Sequence, residues 1–350
     1  MEITEHESRK QVSTIEHRYL GTSGLQISQL TYGNWITGLH NDDDLAVSCI
    51  RAALDIGITS FDTADGYADG HAEEVLGGAL AGVRRDSIEL FTKVYFPVGP
   101  EPRSKNDTGL SRKHILKGIE GSLRRLGTDY IDLYQAHRWD SFTPLEETMQ
   151  AFADVVRSGK ALYIGVSEWP AERIREGQAI ARELGIPLVS NQPQYSMLWR
   201  IVEPEVIPTS AELGMSQLVF SPVAQGVLTG KYLPGQPPPA GSRRETGGGE
   251  FMNPRLFNDS TLAAVQELRP VADELNLSMA QLAIAWVLGN PNVASAIVGA
   301  SRPSQLVDNA AAVGVTIPVE ALERIDRALS GVAETDGELV RDRVPKARSL

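Results

Sequence analysis

The stretch GITSFDTADGYADGHAEEVLG, Gly57 to Gly77, carries the clearest local signal for the fold. A short apolar run stops at Asp62, a turn rich in glycine and aspartate follows, and Tyr67 lies in that turn. An amphipathic run then begins near Ala72. Apolar run, turn and amphipathic run predict a strand, a loop and a helix. The stretch therefore predicts a β/α unit that holds an acid and a phenol at the carboxyl end of its strand.

The same unit recurs along the chain. Strands are expected at the apolar runs LTYG from Leu30, SFD to Asp62, ELFTKV from Glu89, YIDLYQAH from Tyr130, ALYIGVS from Ala161, LVSNQ from Leu188, QLVFSP from Gln217 and ASAIVG from Ala294. Helices are expected at Leu45–Ile56, Ala72–Leu80, Ser111–Leu126, Leu145–Ser158, Ala171–Leu184, Glu205–Leu213, Met279–Leu288 and Ser304–Ala312. Strands this apolar are typical of a parallel sheet covered by helices. The pattern predicts an α/β protein, most simply a closed (β/α)8 barrel of the TIM type.

Two other α/β architectures fit the sequence poorly. A doubly wound dinucleotide-binding sheet requires G-x-G-x-x-G in its first strand–helix turn, and the turn GNWITGLHNDDD from Gly33 lacks it. The run GVLTGKY, Gly226 to Tyr232, resembles a phosphate-binding loop. The run has one residue too few between its glycines, and it has tyrosine where serine or threonine would bind magnesium. We therefore reject a phosphate-binding loop at this position.

Two segments lie outside the strand–helix alternation. The run RYLGTSGLQISQL, Arg18–Leu30, predicts a short hairpin before the first barrel strand. The stretch Tyr232–Pro254 is rich in proline and glycine and predicts a long irregular loop after the seventh barrel strand, where such loops are usually functional. We expect a single domain over residues 1–350, with the barrel at about 17–330 and about fifteen loosely held residues at each end.

Composition excludes several classes of function. The formal net charge of −12 argues against a nucleic-acid or anionic-membrane partner, because phosphate contacts require clustered lysine and arginine. The single cysteine, Cys49, excludes an internal disulfide framework and a cysteine-rich zinc site, and no metal is expected. There is no signal peptide or spanning run, so the cytoplasm is the expected location.

Four polar residues at the ends of successive strands suggest acid–base chemistry. Lys93 lies inside the apolar run LFTKV and needs a carboxylate partner, which Asp62 on the neighbouring strand can supply. An ammonium near Tyr67 would lower the phenol pKa from about 10 and make it a proton donor. His137 could orient a carbonyl oxygen. Each residue alone has a structural explanation as an ion pair, a packed loop residue or a buried histidine. The combination favours a site that protonates an alkoxide.

These segments also carry a family resemblance. FDTADGY (Phe61–Tyr67), FTKV (Phe91–Val94) and YIDLYQAH (Tyr130–His137) resemble the catalytic segments of the aldo-keto reductase superfamily, over about Tyr19 to Ala328. QPQYSMLWR (Gln192–Arg200) and FSPVAQGVLTGKY resemble the bacterial branch related to potassium-channel β subunits. The resemblance implies a barrel that reduces carbonyls with NADPH. Tyr67 would be the general acid, Lys93 and Asp62 would tune it, and His137 would position the substrate.

The resemblance also implies the cofactor contacts. They are Asn34, Trp35 and Asp62 near the nicotinamide, Ser167 and Gln192 on its carboxamide, Phe220 stacked on its ring, Ser221, Pro222 and Gly226 to Lys231 along the pyrophosphate, Arg243 on the 2′-phosphate, and Gly299, Ser301, Gln305 and Asn309 around the adenosine. Glu168 departs from the family, which usually has asparagine there, or arginine in the channel-subunit branch. A carboxylate cannot donate to an amide oxygen, so Glu168 is not counted as a cofactor contact. The choice between Arg243 and Arg244 stays open.

The leading hypothesis is an NADP(H)-dependent reductase of a small aldehyde or ketone. One alternative is an NADPH-binding regulatory or sensing subunit like the channel β proteins, but those lack histidine at the position of His137. Another is a reductase of a nucleotide-linked keto-sugar, for which the basic loop Pro100–Lys113 could meet the anionic substrate. The expected pocket walls are Trp35, Tyr95, Trp139 and Trp169. The related branches form rings, so a homo-oligomer is also expected.

Overall fold

The computed structural model describes residues 15–37, 42–99, 103–245 and 252–346. Its centre is a closed barrel of eight parallel strands: β3 Leu30–Gly33, β4 Ser60–Asp62, β5 Glu89–Val94, β6 Ile131–Ala136, β7 Ala161–Ser167, β8 Leu188–Gln192, β9 Ser216–Phe220 and β10 Val293–Val298. Around the barrel the strands follow one another in chain order from β3 to β9, and β10 closes it between β9 and β3. The (β/α)8 barrel expected from the sequence is confirmed.

Helices surround the barrel and follow most of its strands. They are α1 Asp43–Asp55, α2 His71–Leu80, α3 Arg112–Leu126, α4 Leu145–Arg157, α5 Ala171–Glu183, α6 Val206–Glu212, α7 Asp259–Gln266, α8 Arg269–Glu274, α9 Met279–Leu288, α10 Pro303–Ala310, α11 Val319–Leu329 and α12 Leu339–Asp342. The eight expected helices begin and end within two residues of their expected bounds. Four others, α7, α8, α11 and α12, do not directly follow a barrel strand, so the strand–helix alternation gave no reason to place them.

Helix ends show why the local sequence specifies these bounds. The Ser111 side chain accepts a hydrogen bond from the His114 backbone N–H at the start of α3, and Gly127 ends that helix with a φ of 64°. A serine cap satisfies one unpaired N–H of the first turn, and glycine adopts the left-handed conformation without strain. The cap and the glycine place the chain back at the amino end of the next strand.

The N-terminal hairpin closes the bottom of the barrel. It consists of β1 His17–Tyr19 and β2 Gln26–Ser28, paired antiparallel. Leu20 and Ile27 are fully buried against Phe91, Leu133 and Leu218 in the barrel interior. Burying a leucine or isoleucine side chain stabilises the fold by about 1.5–3 kcal/mol. The expected hairpin is confirmed, and with the amino end plugged, the carboxyl ends of the strands remain as the open mouth.

Strand register brings the polar strand ends together. In the parallel pairing of β4 with β5, Asp62 lies opposite Phe91, and in that of β5 with β6, Lys93 lies opposite Gln135. The backbone N–H of His137 continues the β5–β6 ladder by donating to the Val94 carbonyl at 3.0 Å. The four candidate residues are therefore held at one end of the barrel by backbone hydrogen bonds.

The C-terminal segment differs from the expectation. Residues 336–346 were expected to be loosely held, but the structure folds them against the barrel as α12 and the turn after it, with Val340 buried. The Glu334 carbonyl accepts a hydrogen bond from the Arg200 backbone N–H at 2.7 Å, just before this segment. The sequence offered no reason to place this segment, because Val340 and Leu339 pack on the core without a periodic pattern. Residues 1–14 and 347–350 lie outside the described residues.

The loop after the seventh barrel strand is irregular, as expected, across its described part of the stretch Tyr232–Pro254. Residues 246–251 of this stretch lie outside the described residues. Across the described ranges, every helix is too short or too polar to cross a lipid bilayer. The division into a single domain stays a prediction.

Candidate active site

A buried lysine connects the acid and the phenol of the opening stretch. Lys93 Nζ donates to Asp62 Oδ2 at 2.6 Å, to the Thr63 carbonyl at 2.6 Å and to Tyr67 Oη at 3.2 Å. The Lys93 side chain is 0% exposed and that of Asp62 is 4% exposed. The three donor positions of the ammonium are matched by three acceptors, which offsets the cost of burying its charge.

The lysine is held in its charged form. Burial alone would lower the pKa of the Lys93 ammonium, but Asp62 and Tyr67, by charge and by hydrogen bonding, raise that pKa above its usual value. A hydrogen-bonded carboxylate favours the charged amine, and the amine in turn favours a neighbouring phenolate. The Asp62–Lys93 pair therefore places a fixed positive charge beside the Tyr67 hydroxyl.

The pKa of Tyr67 differs from the expectation. The Lys93 charge does act to lower it, but burial has the larger effect and raises the pKa above its usual value, with Asp62 contributing in the same direction. The expected net decrease was wrong because the sequence shows the charged neighbour and not the desolvation. Tyr67 is consequently protonated at neutral pH, with a cation ready to stabilise the phenolate once the proton leaves.

His137 faces Tyr67 across the mouth of the barrel. Their ring centroids are 5.5 Å apart in an edge-to-face arrangement, and Phe96 packs on the other side of His137 at 5.0 Å. Burial, with a smaller contribution from Arg138 and Lys93, lowers the pKa of His137 well below its usual value. A neutral imidazole carries one N–H, so His137 can donate a hydrogen bond to an oxygen without carrying a charge.

A large cavity opens above these residues. Its volume is about 1500 Å³, and Tyr67 and His137 both line it. It is also lined by almost every expected cofactor contact, namely Trp35, Asp62, Ser167, Gln192, Phe220, Ser221, Pro222, Gly226, Lys231, Arg243, Gly299, Ser301, Gln305 and Asn309. Lys93 lies beneath it, in contact with Tyr67. The structure therefore gathers residues from distant parts of the sequence around one elongated space.

Asn34 is the exception among the expected contacts. Its side chain is fully buried, does not line the cavity, and donates through Nδ2 to the Ala72 carbonyl at 2.7 Å. That hydrogen bond joins the loop after β3 to the start of α2. The structure does not bring the Asn34 side chain to the cavity, because that side chain turns into the protein and donates to a helix carbonyl.

One end of the cavity is cationic. Lys231, Arg243 and Arg302 line it, and Lys231 has its pKa lowered by burial and by the charges of Arg243 and Arg302. The amino end of α10, which begins at Pro303, lies at the same place, and Ser304 in its first turn lines the cavity. Such a cluster fits phosphate groups. Arg302 was missed from the sequence, although its position before a helix is a usable signal.

The structure distinguishes the two candidate arginines of the long loop. Arg243 lines the cavity, with its guanidinium carbon 5.5 Å from the centre of the Trp35 ring. Arg244 instead lies over the Phe257 ring at 4.8 Å and does not line the cavity. Geometry therefore favours Arg243 for a contact inside the cavity.

Hydrogen bonds connect other expected contacts to one another. Ser167 Oγ donates to the Gln192 carbonyl at 2.8 Å, and Gln192 Nε2 donates to Asp62 Oδ1 at 2.8 Å. At the far end, Gln305 Oε1 accepts from the Ser301 backbone N–H at 2.8 Å. Gln192 thereby couples the expected carboxamide position to the carboxylate of the Asp62–Lys93 pair.

The expected aromatic walls are only partly correct. Trp35 lines the cavity, but Tyr95, Trp139 and Trp169 do not, and Trp139 and Trp169 pack edge to face with centroids 4.7 Å apart. These three residues are buried in the core. The cavity is lined as well by Phe96, which packs on His137, and by Arg138, Trp199, Met252, Leu339, Asp342 and Arg343.

Glu168 has a role that the sequence left open. It follows β7 with a φ of 57°, a strained value for a residue with a side chain. Its Oε1 accepts from the Gln194 backbone N–H at 2.7 Å, and its Oε2 accepts from Arg343 Nε in an ion pair. Glu168 therefore ties the C-terminal segment to the mouth of the barrel.

The fold and the site together define a barrel enzyme whose acid–base side chains lie at the carboxyl ends of the strands. The model of the aldo/keto reductase family matches residues 29–330, and the chain belongs to this family. Its members are oxidoreductases that reduce carbonyl groups and generally use NAD(P)H. Within the described ranges, no group of three or more histidine, cysteine, aspartate or glutamate side chains is arranged to hold a metal ion.

Similar proteins carry two kinds of name. The chain is 43% identical over 319 residues to a probable voltage-gated potassium channel subunit beta of Oryza sativa subsp. japonica, covering 89% of this chain and 95% of that protein. It is 38% identical to a putative subunit of the same kind in Schizosaccharomyces pombe, over 91% and 95% of the two chains. It is also 37% identical to an L-glyceraldehyde 3-phosphate reductase of Escherichia coli, over 93% and 94%. The resemblance stated from the sequence is confirmed.

Proposed function

We propose that this protein reduces an aldehyde or ketone to the alcohol with NADPH, and that Tyr67 is the general acid. The observation that carries the proposal is the 3.2 Å contact of Lys93 Nζ with the Tyr67 hydroxyl, at a cavity that neutral His137 also faces. A protonated phenol, a fixed cation beneath it and a hydrogen-bond donor opposite are suited to protonating an alkoxide.

The residues around the cavity fit the expected cofactor. Its cationic end, with Lys231, Arg243 and Arg302, suits the phosphates of a dinucleotide, and half-buried Arg243 would meet the 2′-phosphate that separates NADPH from NADH. Phe220 would stack on the nicotinamide, while Ser167 and Gln192 would contact its carboxamide. When bound, the reduced nicotinamide supplies a hydride.

The side chains around Tyr67 would perform the remaining steps. His137 would donate its N–H to the carbonyl oxygen and hold it beside the Tyr67 hydroxyl. Tyr67 would transfer its proton to that oxygen as negative charge develops there. Lys93, kept charged by Asp62, would stabilise the phenolate and reduce the barrier to this transfer. Solvent would restore the proton to Tyr67.

The test combines turnover with cofactor affinity. Protein and NADPH are mixed with a panel of aldehydes that includes L-glyceraldehyde 3-phosphate, and loss of nicotinamide absorbance is followed. We expect turnover, and we expect Tyr67→Phe to lower kcat by about 10²–10⁴-fold while the Kd for NADPH stays unchanged. Tyr19→Phe, at a 60% exposed position on the hairpin, is the matched control. Tight NADPH binding without turnover of any aldehyde would refute the proposal.

A regulatory NADPH-binding subunit is the second candidate, because the rice and fission-yeast relatives are named as channel subunits. It predicts a stable complex with a channel protein, which co-purification from membranes would detect. The sugar-nucleotide alternative stays a prediction. Arg103 and Arg112 of the basic loop pair with Asp69 and Asp154, and residues 100–102 of that loop lie outside the described residues. A homo-oligomer and a cytoplasmic location stay predictions.

A further inference from the structure

Two arginines lie at the end of the cavity that holds Tyr67 and His137. Arg138 immediately follows His137 after β6, and Arg343 follows α12 in the C-terminal segment. Both line the cavity. They are separate from the cationic end, because Arg138 follows β6 and Arg343 pairs with Glu168 just after β7, whereas Lys231 and Arg243 follow β9 and Arg302 follows β10.

Arg138 is a half-buried cation without a countercharge in contact. It donates to its neighbour, the His137 carbonyl, at 2.6 Å, and its guanidinium carbon lies 5.8 Å from the centre of the Phe96 ring. In the part of the chain that the structure describes, it forms no salt bridge. Burial lowers its pKa, and the Glu168 charge partly offsets this while Arg343 adds to it. A desolvated guanidinium beside a cavity is stabilised when an anion binds there.

Among the described residues, the Arg343 guanidinium is held through its Nε edge only. Its Nε donates to Glu168 Oε2, and the Glu168 side chain is 4% exposed and fixed by the Gln194 backbone N–H. With respect to the described residues, the two terminal nitrogens of Arg343 make no further hydrogen bond. A guanidinium presents five N–H donors in a rigid plane, so the remaining edge can bind an oxyanion.

We propose that Arg138 and Arg343 form a subsite for an anionic group, a phosphate or a carboxylate, of the carbonyl substrate, with Glu168 as the positioning residue for Arg343. The subsite lies beside Tyr67 and His137, so an anion bound there would place a carbonyl of the same small molecule near the phenol. Asp342 also lines this end, but its Oδ1 lies 3.7 Å from Lys346 Nζ, which offsets its charge. This inference rests on the proposed function.

The first experiment compares matched substrates. Butanal and 4-oxobutanoate test a carboxylate, and glyceraldehyde and glyceraldehyde 3-phosphate test a phosphate. For Arg138→Met and Arg343→Met, we expect kcat/KM for the anionic member to fall by about 10- to 100-fold, mainly through KM, because a charge-assisted hydrogen bond is lost. The loss with the neutral member should be smaller, so that the ratio of kcat/KM for the anionic to the neutral member falls in both variants. Arg341→Met is the matched control, because Arg341 lies on α12, pairs with Glu172 and Glu338, and does not line the cavity.

The second experiment tests the positioning role of Glu168. Glu168→Gln keeps an oxygen for the Gln194 N–H but removes the charge that holds Arg343. We expect KM for the anionic substrate to rise while kcat for the neutral substrate and the Kd for NADPH stay unchanged. Added to Arg343→Met, the substitution should cause no further loss with the anionic substrate. An equal loss with both substrates would mean that Glu168 is only structural.

The third experiment is independent of turnover. Glycerol 3-phosphate and butanoate are titrated by calorimetry into protein saturated with NADP+, so that the cationic end is already occupied. Binding of either that is weakened by both arginine substitutions supports the subsite and identifies its preferred anion. Equal efficiency with neutral and anionic aldehydes, together with no anion binding, would refute the subsite and leave the reductase proposal standing. Anion binding without turnover of any aldehyde would refute the reductase proposal and leave the anion site standing.

Discussion

Replacing Lys93 by methionine tests whether the two buried charges of the Asp62–Lys93 pair stabilise each other. The substitution keeps an unbranched side chain of similar size but removes the ammonium that donates to Asp62, the Thr63 carbonyl and Tyr67. Asp62 would then be a buried carboxylate with Gln192 as its remaining donor. Leaving one partner of a buried pair alone costs about 3–5 kcal/mol in the free energy of unfolding.

Adding Asp62→Asn to Lys93→Met should restore part of this loss. Asparagine can still accept from Gln192 and carries no charge, so the remaining cost is mainly the unpaired Thr63 carbonyl, about 1–3 kcal/mol. We therefore expect the double variant to be more stable than Lys93→Met by at least about 1 kcal/mol. Both proteins should lack reductase activity, because stability returns without the cation beside Tyr67.

Urea unfolding followed by circular dichroism measures the difference. Midpoints are compared at a shared slope, so that a change in the unfolded state is not mistaken for a change in stability. The wild type and the single Asp62→Asn variant complete the cycle. If the double variant is less stable than Lys93→Met, the two charges do not depend on one another and the reasoning on the site electrostatics is wrong.

Three further predictions follow from single positions. A Cβ on Gly77 would lie 2.6 Å from a backbone carbonyl at the end of α3, so Gly77→Ala should lower stability to urea by about 1–3 kcal/mol, whereas Gly78→Ala, with nothing within 4 Å, should not. Equal midpoints would contradict the close approach. Burial, with help from the Glu73 charge, raises the pKa of Asp65 well above its usual value. The protonated Asp65 therefore contributes its full stability below the unfolded pKa of about 3.9, and this contribution is lost as pH rises through the folded pKa. Between pH 5 and 8 the urea midpoint of Asp65→Asn should consequently rise relative to that of the wild type. Parallel curves of midpoint against pH would contradict this. Arg243→Met should raise the Kd for NADPH by about 10- to 100-fold while Arg244→Met leaves it unchanged, and equal Kd values by fluorescence titration would contradict the assignment.

The pairing of Asp62 with Lys93 could be predicted from sequence because burial leaves few alternatives. A lysine within an apolar strand requires a carboxylate at the same depth, and parallel strands place their carboxyl ends at one edge. His137 could be predicted in the same way, because it lies at the carboxyl end of a neighbouring strand. The same argument applies to Arg138, the residue directly after that strand, which a stricter use of the strand-end rule would have included.

Other features depend on quantities that a sequence does not display. The pKa of Tyr67 reflects competition between burial and the Lys93 charge, and only coordinates give the burial. Asn34 and Trp169 have residue types suited to a pocket, but each finds a partner inside the protein. The position of Arg343 depends on a long-range ion pair with Glu168, which is 175 residues away in the sequence.

Overall sequence identity does not decide whether this protein shares its function with the channel subunits or with the reductase. The chain is 43% identical to a protein named as a channel subunit and 37% identical to one named as a reductase, and both alignments cover nearly the whole chain. Such values report a shared barrel, and one fold supports many functions. The decision therefore depends on a few side chains. His137 opposite Tyr67 supports the proposed proton transfer, and in the proposed subsite the Glu168–Arg343 pair would select what binds beside them. A subunit that only bound the cofactor would need neither arrangement, and loss of both by substitution should then leave its function intact.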